Sequence, residues 1–84
     1  MPTISRVYGL ILRMYYLGAE PNPPHVHVIY GGDTAEIEIR TGKIIKGDIP
    51  VRAQTLVKEW LAIHKEELLV MWETQEIRKV PPLD

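Results

Sequence analysis

The spacing of apolar and polar positions changes twice along the chain. Residues 4–16, Ile-Ser-Arg-Val-Tyr-Gly-Leu-Ile-Leu-Arg-Met-Tyr-Tyr, are apolar and partly aromatic, with no helix cap or stop, and predict one long first strand. Alternation sets Tyr8, Leu10, Leu12 and Met14 on one side and Val7, Ile11, Arg13 and Tyr15 on the other, so the more apolar first set is expected to face the core. Gly9 inside the run predicts a bulge or a close approach of another backbone. Residues 18–24 hold three prolines, which fix φ and withdraw donors, so a stiff loop is expected there.

From His25 the alternation becomes strict. Gly31-Gly32 between two alternating runs predicts a hairpin with a two-residue primed turn, pairing Tyr30 with Asp33, Val28 with Ala35 and Val26 with Ile37 on the core side. The same register sets His27 opposite Glu36 and His25 opposite Glu38 on the other side. Thr41-Gly42 is a second turn, followed by a short strand, Lys43-Ile44-Ile45-Lys46, whose lysines suit an exposed edge. The period then moves to 3.6, with Asp48 or Ile49 at the N-cap and Pro50 in the first turn. Ala53, Leu56, Val57, Trp60, Leu61 and His64 form an apolar stripe that Leu68 and Trp72 prolong. An unbroken helix over residues 51–77 would run about 40 Å and overshoot a small sheet. A break near His64-Lys65, with a second helix from about Glu66, is therefore expected, one bent helix being the alternative. The pattern predicts a single α+β domain over residues 1–79. Its architecture is an antiparallel three- or four-stranded β-meander followed by one long or two short C-terminal helices packed on one face, with residues 80–84 an extended or disordered tail.

Composition narrows the class. The chain has 84 residues, a formal net charge of −1 and no cysteine. A domain this small buries only about 60–65% of its unfolded surface, which makes a homodimer unsurprising. Without cysteine there is neither a disulfide nor a thiolate zinc site, and the balanced charge argues against a strongly basic nucleic-acid binder. The first residues lack the apolar core and cleavage site of a secretory signal, and no run approaches the length of a membrane span. A cytoplasmic protein with no membrane contact is expected.

The residues capable of chemistry gather on the hairpin. An H-x-H on a strand sends both rings to one side, and with a carboxylate across the ladder, His25, His27 and Glu36 form a three-donor set suited to a divalent metal such as zinc. A reading that needs no cofactor makes one histidine the general base and the other the acid on a phosphodiester such as RNA, with Arg13 or Arg40 stabilising the developing charge. Glu36 and Glu38 would then only orient the imidazoles, since free carboxylates repel an anionic substrate. Tyr15 and Tyr30 are candidate base-stacking residues. The plainer reading is a pair of surface histidines held by cross-strand carboxylates, in a non-catalytic protein-interaction module whose sheet face or helix meets another protein, with Trp60 and Trp72 facing the core or that partner.

Several of these pieces together resemble a known family. They are Met1-Pro-Thr-Ile-Ser, Tyr15-Tyr16, Asn22-Pro-Pro-His-Val-His-Val, Thr41-Gly42, and Trp60-Leu-Ala-Ile-His-Lys-Glu-Glu-Leu with Trp72 downstream. The chain is similar over nearly its whole length to the domain-of-unknown-function 4160 family of small bacterial proteins. The resemblance implies a place in a two-gene cassette reminiscent of toxin–antitoxin pairs, as toxin or partner, with a small cognate protein from the neighbouring gene. It supplies no catalytic residues.

Overall fold

The computed structural model describes residues 3–14 and 23–82. Among the described residues five strands, β1 (Thr3–Val7), β2 (Leu10–Arg13), β3 (His25–Tyr30), β4 (Asp33–Glu38) and β5 (Ile44–Gly47), pair antiparallel in chain order, and one helix, α1 (Val51–Thr74), follows. This is the expected α+β meander, with one strand more than the pattern predicts.

The extra strand comes from the first apolar run, whose described part, residues 4–14, is not one strand but a tight hairpin. Val7 pairs with Leu10, and the two residues between them, Tyr8 (φ 44°) and Gly9 (φ 85°), both sit at positive φ, as a primed two-residue turn requires. Gly9 is thus a turn residue rather than a bulge, and Tyr8 is 61% exposed rather than core-facing. The rest of its expected set, Leu10, Leu12 and Met14, is buried. A bulge does occur, between Thr3 and Ser5, and there the consecutive residues Ile4 and Ser5 are both buried.

The central hairpin has the expected register throughout, from Tyr30 opposite Asp33 to Val26 opposite Ile37 and His25 opposite Glu38. Leu10, Leu12, Val26, Val28, Ala35 and Ile37 join Ala53, Val57, Trp60, Leu61, Leu68 and Met71 of α1 in one apolar core. The opposite sheet side carries Ile11, Arg13, His27, Glu36 and Glu38, all partly exposed. Among the described residues no helix is long and apolar enough to cross a membrane.

The helix starts one or two residues later than expected, according to whether Ile49 or Asp48 is taken as the N-cap. Pro50 is the N-cap and no side chain caps the first-turn N–H groups; Gln54 Nε2 donates instead to the Ile49 carbonyl at 2.8 Å, which ties the first turn to the segment before it. It then runs unbroken through His64-Lys65, about 36 Å at 1.5 Å per residue. The predicted break is absent because the overhanging half is covered. Gln75 caps the helix in the left-handed conformation, its N–H donating to Met71 O, and the chain then returns along α1. Val80 is buried and donates its N–H to Ile4 O of β1, while Trp60 Nε1 donates to Pro81 O at 3.0 Å. The chain end up to Pro82 is therefore packed onto the fold; Leu83 and Asp84 lie outside the described residues.

A polar clasp secures the returning segment. Arg78 donates to Glu67 Oε2 at 2.9 Å, and His64 meets the other carboxylate oxygen. Desolvation alone would push the Glu67 carboxyl up, but the Arg78 and His64 hydrogen bonds outweigh it and hold it below its ordinary value of 4.5. A carboxyl lowered in the folded state contributes stability above its unfolded value and loses it as pH falls through the lower folded value. Urea unfolding is therefore expected to show Glu67→Gln as less stable than wild type near neutral pH, with the difference shrinking as pH falls below the ordinary value of 4.5 and through the lowered folded one. A difference unchanged down to pH 3 would mean that the clasp does not depend on the charge.

Candidate metal centre

The site begins where the proline-rich segment delivers the chain into β3. Pro24 O accepts from Ile39 N at 3.0 Å, which pins the start of the strand to the end of β4. The Pro23 carbonyl lies 2.7 Å from His25 Nδ1. A carbonyl oxygen only accepts, so Nδ1 carries the hydrogen, and in the neutral ring the lone pair sits on Nε2.

That Nε2 faces Glu36 Oε1 at 3.5 Å. A lone pair and a carboxylate oxygen repel at this distance, and a divalent ion placed between them would relieve that repulsion. His27 stands alongside, its ring centroid 5.2 Å from that of His25. One donor atom from each of His25, His27 and Glu36 lies within 4.8 Å of the others. Zinc held at 2.0–2.2 Å by tetrahedral donors separates them by about 3.4 Å. The His25–Glu36 pair already has that spacing, and the widest pair reaches it by closing at most about 1.4 Å. Two imidazoles and a carboxylate suit zinc, manganese or iron(II), and the His25–Pro23 hydrogen bond is the outer contact that orients a ligating histidine.

The setting is less open than a surface pair. His25 is 3% exposed, and its ring lies 5.1 Å from that of Trp72 on the last turns of α1. The Nε2 atoms of both histidines are shielded from solvent. A dry surrounding strengthens electrostatic interactions at the centre and raises the cost of an uncompensated charge there.

The other anticipated residues divide by position. Arg13 stands opposite His27 in the β2–β3 ladder, on the same sheet side. Glu38 shares that side but lies outside the three-donor set, because His25 meets Glu36 on the diagonal rather than its direct partner. Arg40 is not brought to the histidines. It is exposed in the turn after β4 and lines a groove with Lys58, Leu61 and Lys65 of α1. Tyr30 is at the far end of β3, on the other side of the strand and close to Gly9. Tyr15 lies outside the described residues.

A family model described as "Domain of unknown function (DUF4160)" matches residues 9–73. The chain belongs to this family. The DUF4160 span holds all three donors together with Arg13, Lys46 and Trp72, whereas β1 and the returning segment fall outside it. No curated protein and no solved structure matches the chain.

Two neighbours of the centre escape a reading of the DUF4160 sequence. Trp72 closes over His25 only because α1 continues past His64. Lys46 stands opposite Glu36 in the β4–β5 ladder, a pairing hidden by the register shift between Glu36 and Ile37. The nearest signal for Lys46 is its place in a lysine-flanked edge strand, which points to solvent and not to a site.

Proposed function

We propose that the chain is a metal-binding domain whose His25–His27–Glu36 centre holds a divalent cation, with zinc as the reference ion. The observation that carries this reading is the Nδ1–H donated by His25 to Pro23, which leaves its Nε2 lone pair aimed at the Glu36 carboxylate with His27 beside it. Three protein donors of this kind are what catalytic metal sites use, a further position being left to water or substrate. A bound divalent ion supplies a Lewis acid and an activated water, the chemistry of metal-assisted hydrolysis.

Zinc titration of the metal-stripped protein by calorimetry tests the reading. One equivalent is expected to bind at pH 7.5 and to weaken markedly at pH 5.5, where protons compete for the imidazoles. Loss of an outer contact costs a metal site about 10–100-fold, so His27→Ala, which removes a donor, should cost more than a hundredfold. Wild-type protein that takes up no zinc, manganese or iron(II) would overturn the metal reading.

We further propose that the centre serves a toxin–antitoxin-like cassette, the setting implied by the family resemblance, with the small product of the neighbouring gene as partner. Controlled expression of wild type and His27→Ala links the two. Growth arrest by wild type alone is expected, whereas arrest by both would assign the effect to another surface.

A further inference from the structure

The histidine centre lies in a row of charged residues that crosses four strands. Successive ladder partners run Arg13 to His27, His27 to Glu36, and Glu36 to Lys46, and because direct partners in antiparallel strands share a face, all four stand on one sheet side. The two donors in the middle are thus flanked by a guanidinium on one strand and an ammonium on the other. Between the donors and Lys46 runs a groove of about 370 Å³, lined by His27, Ile29, Thr34, Glu36, Lys46 and the Gly47 backbone among others. This lies at the small end of the range for pockets that hold small molecules.

Neither flanking cation is consumed by the fold. Lys46 is exposed and makes no ion pair among the described residues, even with its direct partner Glu36. Arg13 Nε is shielded from solvent and has no hydrogen-bond partner among the described residues. Arg13 does not line the groove but stands across His27 from it, so that it adds positive charge beside the donors.

Charge counting selects the anion. With both rings neutral, Arg13 and Lys46 cancel Glu36 and Glu38, and the face offers an anion no net attraction. A divalent ion on the three donors leaves it with two positive charges. A terminal phosphate carries −1.5 to −2 at pH 7, whereas the phosphate of a diester carries only one negative charge.

We infer that the metal-loaded centre binds a terminal phosphate group, as in a phosphomonoester, with oxygens on the metal and on Lys46 and with Arg13 adding positive charge beside the donors. The inference rests on the metal reading proposed above. Lysine serves such a group as a point charge.

The test uses the full chain loaded with one equivalent of zinc and freed of excess metal, its zinc content measured first. Calorimetry then follows binding of inorganic phosphate and of dimethyl phosphate as the diester probe, to wild type and to Lys46→Gln, a surface change that touches no donor. Phosphate is expected to bind wild type at least about tenfold more tightly than dimethyl phosphate, to bind about tenfold more weakly to Lys46→Gln, and not to bind metal-free protein. If zinc is retained but the two probes bind equally, or Lys46→Gln binds phosphate as wild type does, the phosphate inference is overturned and the metal centre stands. If zinc is not retained, the metal reading fails and takes this inference with it.

Discussion

Replacing Trp60 by alanine is expected to destabilise the protein by about 3–5 kcal/mol, enough to unfold much of a domain whose total stability lies near the lower end of about 5–15 kcal/mol. Trp60 is fully buried, near the middle of α1, and joins the core built on the sheet. It also holds the far end of the chain, since its Nε1–H donates to Pro81 O. Truncation would remove the largest fully buried side chain of the core and release the segment that covers the overhanging half of the helix. Trp60→Phe separates these roles. It keeps most of the apolar area and loses the hydrogen bond, so its cost should include about 1 kcal/mol for the bond and stay well below that of alanine. Urea midpoints followed by far-ultraviolet circular dichroism measure both variants, and an alanine variant within about 1 kcal/mol of wild type would refute the anchoring role.

Gly47→Ala is expected to cost about 2–5 kcal/mol, for two reasons that add. Gly47 sits at φ 75°, where an L-residue pays about 1–2 kcal/mol. A β-carbon there would also stand 2.3 Å from the carbonyl oxygen of Thr34, a backbone atom that cannot swing aside. That carbonyl accepts from Asp48 N at 3.0 Å, so the β4–β5 connection must open to relieve the clash, at a cost of about 1–3 kcal/mol. Gly31→Ala is the control: its φ is 60°, but nothing lies within 4 Å of the added carbon, so it should show the conformational cost alone. Equal urea midpoints for the two variants would remove the steric part of the explanation. Since Gly47 floors the groove beside Lys46, the variant should also weaken phosphate binding even where zinc is retained.

The parts of this protein that were legible from residue order share a physical basis. Strict alternation on both sides of Gly31-Gly32 leaves one register that buries Val26, Val28, Ala35 and Ile37 together, and a slip of one residue would turn every one of them to solvent. The ladder follows, and with it the meeting of His27 with Glu36, because partners in a hairpin are set by a short turn. The apolar stripe from Ala53 to Trp72 likewise required a helix against that face. What lay beyond reach depended on contacts between distant segments. Tyr8-Gly9 is a weak turn signal, since a tyrosine at positive φ is disfavoured locally, and the hairpin there holds because Ile4, Val7 and Leu10 are then all buried. The helix runs past His64 because the returning segment covers it, which no local propensity announces. Trp72 meets His25, and Lys46 joins the row beside Glu36, only once that helix and the bulged β5 edge are in place, because side chains far apart in sequence become neighbours through packing and not through pattern.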